Sequence, residues 1–375
     1  MRVSFLELAA AGVRNLKPYV PGKPVAELER EYGVREAIKL ASNENPLGPS
    51  SRALQAVQQS LTQLARYPDG AGFDLRDALA RKHNVTLAQV TLGNGSNDLL
   101  ELITRAFVTP QNEVVFSEHA FAVYPIVTQA VGAAARVAPV RNWGHDLEAM
   151  AALINERTRV VFIANPNNPT GTWLSGSALE EFLQAVSATV LVVLDEAYFE
   201  YAQDLTADYP DASQWLARFP NLVVLRTFSK AYGLAGLRVG YALSQPDVAD
   251  ILNRVRQPFN VNSLAQVAAL AALDDGEHLA RSLQCNREGM AQLASAFTAM
   301  GLAFIHSAGN FVCVDVARNG LDIYDALLHE GVIVRPVGNY GMPQHLRVTI
   351  GLPGENERFI AALCKVLQGR PESSK

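Results

Sequence analysis

Five stretches of this chain are apolar almost without interruption: "EVVFS" (113–117), "RVVFIANP" (159–166), "TVLVVLDEA" (189–197), "NLVVLRTF" (221–228) and "RVGYALS" (238–244). A strand buried on one face alternates apolar and polar residues, whereas a continuous apolar run fits a sheet covered on both faces. Helical patterns accompany these runs. "SRALQAVQQSLTQL" (51–64) brings Leu54, Val57, Leu61 and Leu64 to one helix face. "SALEEFLQAV" (177–186) opens with Ser177 and Glu180, a capping-box pattern. Strands alternating with helices predict an α/β fold with a mostly parallel sheet.

After about residue 258 the pattern changes. An Ala/Leu-rich helical region (263–300) precedes short strands near "NFVCVDV", "GVIVRP" and "LRVTIG", which predicts a smaller α+β lobe. The first 40 residues are irregular, with Pro18, Pro21 and Pro24, and are expected to pack on that lobe. The expected division is a large domain, 46–258, and a small domain built from 1–45 and 259–375. The polar tail "QGRPESSK" is expected to fray.

A length of 375 residues suits two lobes, and 49% apolar with 18% charged residues suits a well-buried enzyme-sized protein. The net charge of -5 disfavours a nucleic-acid binder. Cys285, Cys313 and Cys364 are odd in number, far apart and without a CxxC pair. That argues against a disulfide framework or a metal site and for a reducing compartment. The N-terminus is a poor signal peptide, and no run of 18 apolar residues suggests a membrane span, so a cytoplasmic location is expected.

Lys230 directly follows an apolar strand, at the end where open α/β sheets place ligands. An arbitrary lysine is usually solvated, but one in such a cleft can have a lowered pKa and attack a carbonyl. Asp195 ends another buried strand; it reads either as a cap or salt-bridge partner, or as a carboxylate facing a ligand cation such as a pyridinium nitrogen. Tyr198 lies three residues on. "NPNNPTG" (165–171) is a rigid turn that presents the Asn168 amide. "GNGSNDLLELI" (93–103) is a glycine-rich turn opening a helix, where backbone N–H groups favour a phosphate. No phosphate-loop motif with its lysine is present, which counts against a nucleoside-triphosphate enzyme. One ligand satisfies all of these. Pyridoxal 5′-phosphate offers an aldehyde for Lys230, a ring cation for Asp195, a ring hydroxyl for Asn168 and Tyr198, and a phosphate for Ser96, Asn97, Ser229 and Arg238.

The order "NPNNPTG", "DEAY", "SKAYGLAGLRVG", "LRVTIG" resembles the class I/II, fold-type I aminotransferases over nearly the whole chain. The resemblance implies a mostly parallel seven-stranded sheet flanked by helices, a smaller α+β domain, pyridoxal phosphate and a homodimer. A narrower resemblance, carried by "LKPYVPGKP", "LASNENPLGPS", "RYPDG", "GNGSND" and "RQPFNVNSLAQ", is to the histidinol-phosphate aminotransferase group. It implies amino transfer between L-histidinol phosphate and 2-oxoglutarate, yielding L-glutamate, in histidine biosynthesis. At matching positions it implies that Tyr67 reaches the cofactor phosphate of the other subunit and that Arg347 holds the glutamate carboxylate. Asn43 would bind substrate, and Tyr19 and Arg335 would be candidates for the substrate phosphate. Phe121 would stack on the cofactor, where tyrosine is common in the group. For Tyr67 a plain turn aromatic, and for Arg335 a surface ion pair, remain open readings. Aromatic amino-acid aminotransferases and threonine-phosphate decarboxylases share the pattern and stand as alternatives.

Overall fold

The computed structural model describes residues 4–369; the polar tail from residue 370 onward lies outside the described residues. Seven strands form the central sheet: β1 (Val90–Gly93), β2 (Glu113–Ser117), β3 (Ala134–Ala138), β4 (Thr158–Ala164), β5 (Leu191–Asp195), β6 (Leu222–Thr227) and β7 (Gly240–Leu243). Their order is β1-β7-β6-β5-β4-β2-β3. All neighbours are parallel except β7, which runs antiparallel to both β1 and β6. Alternate residues of the continuous apolar strands enter two separate cores. Val161, Ile163, Val192, Leu194 and Val224 face one, and Val160, Phe162, Val193, Val223 and Leu225 face the other. Helices therefore cover both faces, which is why these strands carry no polar alternation.

A second sheet joins Phe304–Ile305, Phe311–Asp315, His345–Thr349 and Arg335–Pro336 in that order, all antiparallel. It packs with helices Gly276–Ala299 and Pro353–Gln368 around Leu293, Phe297, Phe359 and Leu363. The early strand Ile38–Lys39 pairs in parallel with Val332–Ile333, so this part of the irregular N-terminal region does join the smaller sheet's neighbourhood. Residues 11–14 do not. Gly12 lies against the Gln129 carbonyl at the end of helix Val123–Ala130, where a Cβ would come within 2.0 Å of that oxygen.

Three local expectations are corrected. The helix at 177–186 is capped by Ser175, not Ser177: the Ser175 hydroxyl accepts from the Ala178 N–H, and Glu180 instead pairs with Arg218 at 2.8 Å. The first long helix ends at Ser60 rather than 64, with Leu61–Gln63 forming a 3-10 turn, and Leu54, Leu61 and Leu64 are all exposed. Its neighbour, helix Ser263–Leu273, approaches along the other side, where Ala53 meets a row of buried alanines at 265, 268, 269 and 272. Finally, the helical region 263–300 is two helices, broken at Asp274 and restarted by Asp275, whose carboxylate caps the His278 N–H. The first of them packs with the core of the large sheet.

Candidate active site

The C-terminal ends of β4, β5 and β6 open into a cavity of about 550 Å³ that also meets the smaller sheet. Every candidate residue named from the sequence except Tyr67 lines it. Tyr67 is 83% exposed and stacks on Phe259 at 4.7 Å, outside the cavity of its own chain.

Lys230 is part-buried, and its Nζ donates to the Ser42 carbonyl at 3.0 Å. Desolvation first, then the charge of Arg347, lowers its pKa to about 7. Asp195 ends β5, 4% exposed. Tyr124 donates to its Oδ2 at 3.0 Å, whereas Oδ1 has no partner. Burial raises its pKa to about 6, against the Tyr124 hydrogen bond and Lys230, which both lower it.

The Tyr198 oxygen accepts from Asn43 Nδ2 at 2.8 Å and Asn168 Nδ2 at 3.0 Å, leaving its own proton for a ligand. Burial raises its pKa to about 12, so it stays a phenol near neutrality. Asn168 Oδ1 accepts from Arg347 Nη1 at 2.6 Å, which fixes the orientation of the amide. Arg347 Nη2 donates to the Ala41 carbonyl, and its buried Nε has no partner. Arg335 sits opposite Arg347 in the strand register, donates to the Val20 carbonyl at 2.8 Å and lies 5.5 Å from the Tyr19 ring.

At the other end, Gly95 precedes helix Ser96–Phe107 with φ +83°, a conformation that favours glycine. A Cβ there would stand 2.6 Å from Arg238 Nη2, so the guanidinium lies directly over the helix N-terminus. Thr227 Oγ1 donates to the Ser229 hydroxyl at 3.0 Å and accepts the Ser229 N–H at 3.1 Å, setting that hydroxyl beside the same end of the cavity. Phe121 lines the cavity and meets Tyr124 edge-on at 5.9 Å.

These residues fit pyridoxal 5′-phosphate. A buried carboxylate oxygen without a partner suits a ring cation. A guanidinium over first-turn N–H groups suits a dianionic phosphate. A lysine with lowered proton affinity suits an aldehyde. Sequence reasoning missed Tyr124, Thr227 and the Ser42 and Ala41 carbonyls. Tyr124 lies in an apolar helix with nothing to mark it, and backbone carbonyls have no residue signature.

The family model of aminotransferase class I and II matches residues 35–363. The histidinol-phosphate aminotransferase 2 of Pseudomonas fluorescens is 63% identical over 98% of this chain and 99% of its own. That of Pseudomonas aeruginosa is 64% identical over 97% and 98%. The structure of histidinol-phosphate aminotransferase from Sinorhizobium meliloti in complex with pyridoxal-5′-phosphate superposes with a TM-score of 0.87 at 32% identity, covering 93% of this chain and 95% of that one. Matched in sequence and fold over nearly its whole length, this chain belongs to the class I and II aminotransferase family.

Proposed function

We propose that this enzyme transfers the amino group of L-histidinol phosphate to 2-oxoglutarate, forming imidazole-acetol phosphate and L-glutamate in histidine biosynthesis. The observation that carries this reading is the pair Arg335 and Arg347, in register on adjacent strands and both lining the cavity that holds Lys230. Two guanidinium groups beside one amine match a donor with a phosphate and an acceptor with two carboxylates. Relatives above 60% identity bearing the histidinol-phosphate name support the same donor.

When bound, pyridoxal phosphate supplies an aldehyde carbon that accepts the amino group and a protonated ring that withdraws electrons. The chain's own residues do the rest. Asp195 Oδ1 holds the proton on the ring nitrogen, and Tyr124 keeps that carboxylate ionised. Tyr198 and Asn168 orient the ring hydroxyl. Ser96, Asn97, Ser229 and Arg238 grip the phosphate. Lys230 Nζ anchors the aldehyde end and, with its pKa lowered to about 7 and so partly uncharged at neutral pH, serves as the base that moves the proton at the substrate α-carbon once the substrate amine has displaced it. Arg347 takes the glutamate carboxylate; Arg335 with Tyr19 takes the substrate phosphate; Asn43, which lines the same cavity and steadies the Tyr198 phenol, contacts the substrate.

The same reading places two chains together in a homodimer, with Tyr67 completing the phosphate site of its neighbour. Exposure of Leu54, Leu61, Leu64, Phe73 and Phe259 along with Tyr67 supports an apolar surface that a second copy covers. The large unit is drawn from about 46 and the small one from 1–45 plus the C-terminal part. The boundary sits better at the Asp274 break than at 258, because helix Ser263–Leu273 packs in the large core. Among the described residues no helix is long and apolar enough to cross a membrane, and a cytoplasmic home is part of this proposal.

Phe121, Val123 and Ile126 give one side of the cavity an apolar lining, which favours aromatic amino acids as a second donor class. Titrating the cofactor-loaded enzyme with L-histidinol phosphate, L-phenylalanine and L-threonine phosphate separates the readings. The visible band should shift at the lowest concentration with L-histidinol phosphate, and 2-oxoglutarate should restore it. A shift with L-threonine phosphate alone, without need of 2-oxoglutarate, would overturn the assignment.

A further inference from the structure

Four cationic side chains line the cavity, and all have a task in the reading above: Lys230, Arg238, Arg335 and Arg347. Among the described residues two carboxylates line it, Asp195 and Glu44. Asp195 is committed to the ring nitrogen. Glu44 has no task in that reading, and its side-chain partner among the described residues is Lys39.

Glu44 is held in an unusual way. The residue before it, Asn43, is buried with φ +55° and is tied to Tyr198 and Thr349. The residue after it, Asn45, is buried and donates to the Ala231 carbonyl at 2.9 Å and the Ser282 hydroxyl at 2.8 Å. Asn310 Nδ2 donates to the Asn43 carbonyl at 3.1 Å and reaches the Glu44 carbonyl at 3.5 Å. The backbone is thus pinned on both sides, while the Glu44 side chain stays 47% exposed at the cavity. Its Oε1 accepts from Lys39 Nζ at 2.9 Å; among the described residues its Oε2 accepts from nothing. A carboxylate in a site built to attract anions, even one paired through a single oxygen with Lys39, works against that attraction unless it serves the part of a substrate that is not anionic.

We propose that Glu44 determines specificity for the amino donor by accepting an N–H from its imidazole ring. This rests on the histidinol-phosphate reading. The donor carries three recognisable groups: a phosphate, an amine and an azole with an N–H. The first two have partners in Arg335 and Lys230. Glu44 lines the same cavity and has one free oxygen for the third. The same carboxylate repels the second carboxylate of glutamate, so its value differs between the two half-reactions.

Glu44→Gln tests this, because it keeps the shape and removes the charge. A charge-assisted hydrogen bond exceeds a neutral one by about 10-fold in binding at a part-exposed site. For the cofactor-loaded variant, the KM for L-histidinol phosphate should rise about 10-fold while kcat stays within about 3-fold. The KM for L-alaninol phosphate, which keeps phosphate and amine but lacks the azole, should not change, and that for L-glutamate should not rise. Lys39→Met, which removes the ion pair but not the carboxylate, should leave the KM for L-histidinol phosphate within about 3-fold. An unchanged KM for L-histidinol phosphate in Glu44→Gln overturns the proposal. So does an equal rise for both phosphate esters, or a Lys39→Met variant that reproduces the Glu44→Gln effect. Failure of the unmutated enzyme to convert L-histidinol phosphate, with L-glutamate still turned over, is the distinct result that removes the substrate reading and this proposal with it.

Discussion

Tyr124 donates its phenolic hydrogen to Asp195 Oδ2 at 3.0 Å, and both groups are buried, so one carboxylate oxygen is satisfied by the protein and the other is left for a ligand. The bond opposes the rise that burial imposes on the Asp195 pKa. Tyr124→Phe removes that opposition. The Asp195 pKa should climb above about 6, and cofactor affinity should fall by roughly 10-fold at pH 7, the worth of one hydrogen bond to a charged group. The loss should be larger at pH 6 than at pH 8, because below its pKa the carboxyl is protonated. Spectroscopic titration of the cofactor-free protein across that range measures it.

Without cofactor, Asp195 makes stability depend on pH. Its folded pKa is raised from 3.8 to about 6, so below pH 4 the proton is bound in both states and no penalty exists. As pH rises through 4 to 6, the unfolded chain ionises more readily, and the folded state loses up to about 3 kcal/mol. Cofactor-free Asp195→Asn should lack this component. Denaturant melts of both proteins at pH 4.5 and pH 7 should show the variant gaining relative stability at the higher pH.

Lys230 captures the cofactor aldehyde only as a neutral amine. With its pKa lowered to about 7, the rate of cofactor capture by the cofactor-free protein should rise through pH 6 to 8 and then level off. An unperturbed lysine would still be accelerating at pH 10. Rapid-mixing absorbance resolves the two curves, and Lys230→Ala should show neither the visible band nor measurable turnover.

Gly95→Ala should damage the phosphate end alone. The φ of +83° strains any side chain, and the new Cβ would meet Arg238 Nη2 at 2.6 Å, displacing the guanidinium. Cofactor affinity should drop by at least about 10-fold, with a stability loss on the order of 1–3 kcal/mol. Inorganic phosphate should compete less well for the cofactor-free variant than for the unmutated protein.

Behind the site, Arg226 is 1% exposed and pairs with Glu196 at 2.8 Å and Asp211 at 2.6 Å. Arg226→Met would strand the fully buried Glu196, costing about 3–5 kcal/mol. The double variant Arg226→Met/Glu196→Leu should recover part of that loss in urea melts, since the fully buried carboxylate is then gone and only the part-exposed Asp211 is left without its partner.

The large sheet was legible where strands are continuously apolar: all five such runs are strands. The two missed ones, "VTLG" and "AARVA", sit at the sheet's two edges, are short and hold small or polar residues, so they carry little hydrophobic signal. The reversed direction of Gly240–Leu243 has a physical cause that can be read afterwards. Only a loop and a three-residue turn separate it from Thr227, without the crossover helix that a parallel neighbour requires. Lys230 and Asp195 stood out because one follows and the other ends an apolar run, and Asn168 because it sits in the rigid "NPNNPTG" turn. Tyr124 did not, since its role depends on a helix turning one phenol toward a strand 71 residues away. The exposed Leu54 face marks the opposite limit: amphipathic spacing says that a face will be covered, not which molecule covers it.

The stretch 41–45 touches more of the chemistry than any catalytic strand does. Its carbonyls hold Arg347 and Lys230, and its amides hold Tyr198 and the backbone beside Lys230. It is also the tether leading from the N-terminal arm into the first long helix. A protease nick or a single-residue insertion there would disconnect acid, base and anion receptor in one event, so tolerance to insertion should fall to its minimum at five residues that a fold diagram would draw as mere connection.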